Sequence, residues 1–537
     1  MAGTGGGPAD GSPAEMPADM PADSGGGGAD SLAGLPRGFR IELDPGTKKL
    51  TVDSLFGGSP ARVMRLTPAG VAALADLEAG PVRTAAAGQL ARRLTDAGLA
   101  HPVPPPAGSP SAGSPSAGCD QPGTATVTVV IPVRDRAAML ERCLAAAGSR
   151  YPVVVVDDGS ADPAAVAAIA ARHGAAVRRR VTNGGPAAAR NTGLTGLATD
   201  LIAFLDSDCV PPDGWIGRLA GHFTDPQVGA VAPRIVPITA SPAARRRADG
   251  APAAARYAAA CGSLDLGAQP ARVLPGGRVG YVPTAALVVR RSALASVASG
   301  RPPFDPALRC GEDVDLIWRL HDTGWRIRYE PSVQVPHDGP VSWAGLLGRR
   351  FRYGTSAGPL ARRHPADLAP LVLHPWPALT VAAVLARRPV AVAAGLAAGW
   401  LDLTAALRRA GLPADGVPAA ALTAARQTWL GVGRYATQFC VPAVALALAR
   451  PGGSSARRRW GRRIAAASLL IGPALTDHAQ RKPDLDPVTF ALARIADDIC
   501  YGAGVWAGCL RERTLVPVTP RISWRMLRLS GRRDGKD

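Results

Sequence analysis

The sequence predicts an α/β domain that lies between a small α+β module and an apolar, helical C-terminal region. Fully apolar segments alternate with helical ones from residue 124 onward, which is typical of a sheet with helices on both faces. A Pro/Ser/Gly-rich stretch before this domain indicates a linker. The predicted boundaries are a disordered tail at 1–33, a winged-helix-like module at 34–105, a linker at 106–123, the α/β domain at 124–365, apolar helices at 366–520 and a basic tail at 521–537.

Composition narrows the choice of partners. The 537 residues have room for about two to four domains. The net charge is +19, but aromatic residues make up only 5% and the arginines form separate clusters. This pattern predicts no nucleic-acid partner and favours contact with an anionic membrane surface. The eight cysteines form no CxxC pair and have no zinc-site spacing, which predicts free thiols in a reducing compartment. Residues 1–33 have no signal-peptide pattern.

The N-terminal module contains strand and helix signals. Residues 39–43 alternate as a strand does, an Asp-Pro-Gly turn follows, and residues 49–52 return, which predicts a hairpin. Thr67 is in place to cap a first helix, and a second helix at 87–97 ends before Gly98. A strand pair followed by two helices predicts the winged-helix-like module.

The α/β domain follows from a regular alternation of elements. The sequence predicts strands at 126–132, 153–156, 175–178 and 201–205, with helices at 139–144, 166–173 and 187–197. Ligands of such sheets bind at the carboxyl ends of the strands. Candidate binding residues are therefore those that directly follow each strand.

Asp206-Ser207-Asp208 follows the last of these strands. Two carboxylates that flank a small residue are able to hold one Mg²⁺ or Mn²⁺, which a bound diphosphate usually shares. The same tripeptide also makes an ordinary turn, so the tripeptide alone leaves both interpretations open. Its position beside other acidic strand ends favours the metal site.

Other polar residues also lie at strand ends. The loop Pro132-Val133-Arg134-Asp135 follows the first strand and offers backbone groups to a base and ribose. Asp158, at the tip of the next strand, is placed to accept hydrogen bonds from a uracil or ribose. Two glycines at 184–185 allow close approach of a ligand. Arg190 then either faces phosphates or orients Asp206.

These motifs occur in the order IPVRD, VVVVDDGS, NGGPAAARNTGL, FLDSD and GEDVDLIWRL. The ordered set, over about residues 124–355, resembles the inverting family 2 glycosyltransferases of the GT-A fold. The resemblance implies a Rossmann-like mixed sheet, a UDP-sugar donor and a divalent cation. It also implies that Asp158 binds the uridine end, that Asp206 and Ser207 contact the nucleotide, and that Asp208 is the main metal ligand.

The same resemblance makes Asp313 the catalytic base. Inverting transfer needs one carboxylate to deprotonate the acceptor hydroxyl, whereas the leaving diphosphate needs no protein acid because the metal takes up its charge. Glu312 is the next candidate, as a residue that holds the acceptor. Glu312 and Asp315 are open to another interpretation, as acidic residues favoured at a helix N-terminus.

Further candidates follow from the family resemblance. His337 lies where some relatives place a third metal ligand, although a lone histidine is often structural. Trp343, Arg349 and Arg352 belong to a segment like the one that closes over the sugar and diphosphate in processive relatives, but the Gln-x-x-Arg-Trp form is absent. Trp215 is either an acceptor-side aromatic or a core residue. The predicted acceptor-binding residues are Trp215, Trp343, Arg349 and Arg352.

The N-terminal module resembles peptide-recognition modules of systems that modify ribosomally made peptides. Together with a family 2 domain it resembles the glycosyltransferases of the mycofactocin system of actinobacteria. That resemblance implies transfer of glucose from UDP-glucose onto a peptide-derived redox cofactor, extended as a β-1,4 chain. The alternative is a membrane-associated transferase that acts on a cell-envelope glycan or lipid. A binding protein without turnover would not need Asp313.

The C-terminal region leaves two interpretations open. Its apolar stretches at 377–401, 435–449 and 464–476 are interrupted or short, and none gives the roughly 20 uninterrupted apolar residues that cross a bilayer. The helices are therefore either amphipathic or re-entrant membrane helices, or a buried bundle. Flanking arginines favour the cytoplasmic face of the cell membrane.

Overall fold

The computed structural model describes residues 33–105, 125–238, 252–409, 412–414, 416–449, 456–524 and 528–530. The predicted linker at 106–123 lies outside these residues, as does the predicted tail at 1–33 except for Ala33. Most of the predicted basic tail after Trp524 also lies outside them.

The N-terminal module is a small α+β unit. Its elements are β1 (Arg40–Leu43), β2 (Lys48–Thr51), β3 (Ser54–Gly57), β4 (Arg62–Arg65), α1 (Pro68–Ala79), α2 (Ala85–Asp96) and β5 (Ala100–Val103). Thr67 caps α1 as predicted, because its hydroxyl accepts a hydrogen bond from the N–H of Gly70 at 3.2 Å. Phe39, Leu74 and Leu94 belong to one buried core that joins the strands to both helices.

The predicted hairpin between residues 39–43 and 49–52 is wrong. β1 pairs with β5, where Ile41 lies opposite Pro102, and β2 pairs with β3. The buried carboxylate of Asp44 holds the chain that leaves β1, since it accepts from the N–H of Gly46 at 2.9 Å and lies 2.7 Å from His101 of β5. Alternation in the sequence identifies a strand but does not choose its partner.

The central sheet has eight strands among the described residues, in the order β11-β13-β10-β12-β9-β6-β7-β8. Its elements are β6 (Val127–Val133), α3 (Ala137–Ala147), β7 (Val153–Asp158), α4 (Pro163–Arg172), β8 (Ala176–Arg180), α5 (Pro186–Leu194), β9 (Leu201–Leu205), α6 (Trp215–Ala220), β10 (Val228–Pro237), α7 (Ala253–Ala260), β11 (Ala271–Val273), β12 (Ala286–Arg290), α8 (Arg291–Ser296), α9 (Glu312–Asp322) and β13 (Arg326–His337). β6 to β9 are parallel to their neighbours among themselves, whereas β12 runs antiparallel to β9 and β10. The sheet is therefore mixed, as predicted.

The apolar strands exist because both faces of the sheet are covered. Ile131 and Leu205 face one buried core, and Val130 and Phe204 face the other. A strand that is buried on both faces needs a nearly continuous apolar run. The carboxyl ends of β6, β7 and β9 then bring the polar residues that follow them to one edge of the sheet.

The C-terminal region is helical. It contains α10 (Trp343–Thr355), α11 (Ala357–Arg363), β14 (Val372–Leu373), α12 (Pro375–Leu385), α13 (Pro389–Arg409), α14 (Val417–Phe439), α15 (Val441–Ala449), α16 (Ala456–Arg481), α17 (Pro487–Glu512), β15 (Arg521–Ile522) and β16 (Arg528–Ser530). β16 pairs with β4 in parallel and adds a strand to the sheet of the N-terminal module.

α17 packs closely against α10. The contact uses glycines on both helices, since a Cβ added at Gly354 would overlap the carbonyl oxygen of Tyr501, and one added at Gly504 would overlap that of Phe351. Small residues at a helix contact allow the backbones to approach closely. α17 therefore packs tightly against the helix that follows the central sheet.

The prediction that no segment is long enough to cross a membrane is wrong for α13. This helix has 21 residues, is long and apolar enough to span by length and composition, and is mostly unburied. Pro389 begins the helix, a position that proline suits, so the proline does not break the apolar run. A core helix of a soluble protein passes the same test, so the finding alone is weak evidence for a span.

Buried and partly buried ion pairs fix the N-terminal module to the central sheet. Arg92 of α2 makes two hydrogen bonds of 2.8 Å with Asp225, which also accepts from Arg328 of β13 at 2.6 Å. Asp96 accepts two hydrogen bonds from Arg326 at 2.8 and 2.7 Å. Breaking such a buried pair leaves an uncompensated charge, so the module and the sheet stabilise each other.

Candidate active site

The Asp206–Asp208 segment forms a turn that directs both carboxylates to the carboxyl edge of the sheet. The N–H of Cys209 donates to the carbonyl of Asp206 at 3.0 Å, and Ser207 is buried within the turn. The turn and metal-site interpretations are therefore compatible. Asp206 accepts a hydrogen bond from Arg190 at 2.7 Å, and Asp208 lies between Arg136 and His337.

Asp208 and His337 fit a divalent cation. Oδ1 of Asp208 is buried, has no hydrogen-bond partner among the residues that the structure describes, and lies 3.5 Å from Nε2 of His337. Burial acts to raise the pKa of Asp208, but His337 and Arg136 outweigh it and lower the pKa to about 2. The described residues contain no group of three or more candidate ligand side chains. A cation here would therefore take its remaining oxygen ligands from the donor diphosphate and water.

Arg190 connects the two acidic parts of the site. It lies on α5, its side chain is nearly fully buried, and its guanidinium donates to Asp206 and to Glu312 at 2.7 Å each. Burial acts to lower the pKa of Arg190, but Asp206 and Glu312 raise it above its ordinary value. The hydrogen bond to Asp206 fits the predicted role of Arg190 in orienting that residue, and contact of Arg190 with phosphates stays a prediction.

Asp313 lies in the first turn of α9. Burial, followed by the charge of the adjacent Glu312, raises the pKa of Asp313 to about 7, against the opposing charge of Arg190. The helix begins at Gly311, whose φ of +84° suits glycine. A carboxylate with a pKa near the working pH is well matched to general-base catalysis.

The neighbouring acidic residues have other partners. Asp315 is buried and accepts hydrogen bonds from Arg319 at 2.9 Å, while His364 lies 3.0 Å from its other oxygen. Asp315 is therefore structural. Glu312 is held by Arg190, which leaves Asp313 as the acidic residue in the first turn of this helix without a charged hydrogen-bond partner in the described part of the chain.

Asp158 organises the glycine-rich loop. Its carboxylate accepts hydrogen bonds from Arg180 at 2.8 Å, from the N–H of Gly184 at 2.9 Å and from the N–H of Gly185 at 2.8 Å. The side chain is buried, so its main observed role is to shape this loop. Direct contact of Asp158 with uridine stays a prediction.

The loop after β6 lies next to the loop after β7. Pro132 and Val133 end the strand, whereas Arg134 and Asp135 are exposed and form an ion pair of 3.3 Å. The carboxylate of Asp135 accepts the N–H of Ala161 at 2.7 Å, which ties the two loops together. Backbone contact of residues 132–135 with a nucleotide stays a prediction.

The four predicted acceptor-binding residues do not share one environment. Trp215 is buried in the core against the sheet, which favours the core alternative, and its acceptor-binding role stays a prediction. Trp343 is partly exposed and its ring centroid lies 5.9 Å from that of Tyr257. Arg349 is half-buried and lines a cavity, and Arg352 is exposed.

The sequence interpretation missed several residues of the site. Arg136 forms an ion pair with Asp208, and its only sequence signal is its position just after the first strand. Tyr281 is a close electrostatic neighbour of Asp313, which, after burial, contributes to the raised pKa of the tyrosine. No local pattern marks Tyr281.

Comparison with known proteins identifies the family. The model for glycosyl transferase family 2 matches residues 128–295. A protein named pre-mycofactocin glycosyltransferase, from Mycobacterium tuberculosis, is 39% identical over 503 residues, which cover 91% of this chain and 98% of the relative. The chain belongs to the family 2 glycosyltransferases. The predictions of the family and of the GT-A fold class are confirmed.

More distant matches to this family 2 glycosyltransferase cover parts of the chain. Glycosyltransferase AglE of Haloferax volcanii is 27% identical over 42% of this chain and 71% of its own length. The structure of a mannosyltransferase from Pyrobaculum calidifontis, in complex with GDP-Man and Mn²⁺, is 22% identical and covers 64% of this chain and 86% of its own, with a TM-score of 0.34.

Proposed function

We propose that this glycosyltransferase moves a hexose, glucose in the first instance, from a UDP-sugar onto a peptide-derived precursor of mycofactocin. Extension would give a β-1,4-linked chain. The acceptor assignment is supported by the relative named pre-mycofactocin glycosyltransferase, because the similarity includes the N-terminal module and the C-terminal helices as well as the sheet domain. The reaction assignment rests on Asp313, whose pKa is raised to about 7 beside the Arg190-linked acidic residues.

The donor side of the site is built on Arg190, Asp206 and Asp208. Arg190 holds Asp206 in place, and Asp208 with His337 would bind Mg²⁺ or Mn²⁺. A bound cation would supply positive charge that stabilises the leaving diphosphate. The hydrogen bond from Arg190 fixes the carboxylate of Asp206, and in this proposal Asp206 contacts the nucleotide of the donor.

The acceptor side is built on α9. The acceptor hydroxyl attacks the anomeric carbon, its proton passes to the carboxylate of Asp313, and the bond from that carbon to the UDP oxygen breaks. One displacement of this kind inverts the anomeric configuration. Glu312 accepts a hydrogen bond from Arg190 at 2.7 Å and is the proposed residue that orients the acceptor.

The same proposal assigns functions to the N-terminal module and to the C-terminal helices. The module at 34–105 recognises the peptide-derived acceptor and delivers it to the domain at 124–365, which performs transfer. The helices at 366–520 contact the cytoplasmic face of the membrane. The apolar, mostly unburied α13 supports the membrane contact. It also supports a second candidate function, transfer to a cell-envelope glycan or lipid at the same surface.

The test is incubation of the full chain with UDP-glucose and the mycofactocin precursor, followed by mass spectrometry, with Mn²⁺ or with a chelator. Serial additions of one hexose mass that disappear with the chelator are the expected result. Release of UDP without modification of the precursor would contradict the acceptor assignment and favour the envelope acceptor. Full transfer in the chelator would contradict the metal assignment.

A further inference from the structure

A cavity opens beside His337, on the side of the candidate metal site that faces the C-terminal helices. The end of β10, helix α7, the loop after β13 and helix α10 form its walls. Its volume is about 140 Å³, and it opens to solvent on one side. An apolar cavity of about 150 Å³ is enough to bind a benzene-sized molecule, so this cavity is large enough for one ring or a short branched group.

The lining of the cavity is mainly apolar. Ile235, Val236, Leu264 and Leu346 lie on its walls, together with the alanines of α7. Most charged groups at its edge already have partners: Asp265 makes hydrogen bonds of 2.8 Å with Arg234, Asp338 pairs with Arg142, and Arg350 pairs with Asp497. Arg349 is the exception, since no hydrogen bond or ion pair involves it within the described residues.

This lining selects against a sugar chain. Each sugar hydroxyl that is buried without a hydrogen-bond partner costs about 1–3 kcal/mol, and the apolar walls offer few partners. An apolar ring or branched body instead gains about 25 cal/mol for each Å² that leaves water. The occupant that fits is therefore an apolar organic body with few polar groups.

The cavity adjoins the candidate metal site. His337 belongs to its lining, and its Nε2 lies 3.5 Å from the carboxylate of Asp208. If these two residues hold the cation, a molecule in the cavity lies close to the place of the donor diphosphate.

We propose that this cavity holds the apolar, non-sugar body of the acceptor during the first sugar transfer. The proposal rests on the proposed function and specifies its acceptor class. After the first transfer, each new acceptor hydroxyl is one sugar further from that body. The body therefore leaves the cavity as the chain grows, so the cavity governs initiation and has little effect on elongation.

The C-terminal helix α17 holds two walls of the cavity in place. The buried carboxylate of Asp497 accepts a hydrogen bond from the hydroxyl of Tyr257 at 2.9 Å and another from Arg350. Tyr257 belongs to α7 and Arg350 to α10, so one carboxylate joins the two helices that face each other across the cavity. Asp497 is thus a positioning residue for the acceptor site.

The test is to fill the cavity and compare first with later transfers. Ala259 lies on α7, lines the cavity and is not part of a buried cluster, so Ala259→Trp places bulk in the space. Val341→Trp is a second variant, at a lining position that is 70% exposed, where substitution leaves the fold intact. Ala168→Trp, at an exposed position on α4, is the matched control.

We expect Ala259→Trp and Val341→Trp to raise KM for the unglycosylated precursor at least tenfold. KM for UDP-glucose, hydrolysis of UDP-glucose without acceptor, and transfer onto a precursor that already carries two sugars are expected to change less than threefold. The Ala168→Trp variant is expected to match the wild type in all four measurements.

Unchanged KM for the unglycosylated precursor in both cavity variants would overturn the proposal. An equal loss for unglycosylated and glycosylated acceptors, with UDP-glucose hydrolysis intact, would also overturn it, because the cavity would then hold sugar. Failure of the proposed function itself has a different result, since the wild type would then transfer nothing to the precursor.

Discussion

Replacement of Asp313 by Asn tests the core of the proposed chemistry. The substitution preserves the size of the side chain but removes the group that accepts the acceptor proton. General-base catalysis typically contributes about 10²–10⁴-fold to a rate. We therefore expect kcat to fall by this factor, while the affinity for UDP-sugar, measured by calorimetry, stays within about threefold of the wild type.

The pH dependence gives the prediction a second, independent readout. Because the pKa of Asp313 is raised to about 7, wild-type kcat/KM is expected to rise about tenfold per pH unit up to pH 7 and then to level off. At pH 5 about 1% of the carboxyl groups are ionised, so the rate is about 100-fold below the plateau. In Asp313→Asn the rise of kcat/KM with pH is expected to be absent, so that kcat/KM is low and nearly independent of pH.

The same pKa shift predicts the effect on stability. The folded-state pKa of Asp313 lies above its unfolded value of 3.8, so the wild type loses stability as pH rises from about 4 to 7. Each unit of the shift corresponds to about 1.4 kcal/mol. At pH 8, Asp313→Asn is expected to be more stable than the wild type by up to about 4 kcal/mol, with little difference at pH 4.

Glu312→Gln serves as the comparison variant. The charge of Glu312 helps raise the pKa of Asp313. Removal of this charge is therefore expected to move the rise of kcat/KM to lower pH without abolishing transfer. Near-normal turnover of Asp313→Asn, or a wild-type profile that stays flat down to pH 5, would refute the assignment of Asp313 as the base.

Three further predictions concern the metal, the helices and the module. Asp208→Asn is expected to weaken Mn²⁺ binding, measured by calorimetry without substrate, at least tenfold, and unchanged binding would exclude Asp208 as a ligand. Gly504→Ala is expected to destabilise the protein by about 1–3 kcal/mol in thermal unfolding because its Cβ overlaps the backbone of α10, whereas Gly348→Ala, in open space on α10, is the control and is expected to be neutral or stabilising. Arg92→Met is expected to cost about 3–5 kcal/mol because it leaves buried Asp225 with one arginine fewer, and an unchanged melting temperature would show that the module is not held by this pair.

The sequence predicts the central strands well because their requirement is local. Leu201–Leu205 is predicted and observed with the same bounds, since burial on both faces demands an apolar residue at every position. Thr67 is predicted as a helix cap for a similar reason, because the hydroxyl and the N–H that it satisfies are three residues apart.

Other features depend on contacts between distant residues, which a single sequence does not display. Ile41 pairs with Pro102 instead of its near neighbours, and Arg350 meets Asp497 from 147 residues away. A tryptophan such as Trp215 occurs both at surfaces and in cores. Only the packing of α6 against the sheet shows that Trp215 is buried. The sequence therefore indicates which groups the site contains, while the folded chain decides which of them are paired.

The roles of the carboxylates in the site follow from which of them pair with a positively charged side chain. Arg190 has two acidic partners, Asp206 and Glu312, each at 2.7 Å. Asp208 has Arg136 and His337, which lower its pKa to about 2 and keep it ionised. Asp313 receives no such partner, and its pKa rises to about 7. Carboxylates whose environments separate their pKa values in this way take different chemical tasks. The permanently ionised Asp208 is suited to bind a cation, and Asp313 is the group that can accept and release a proton near neutral pH.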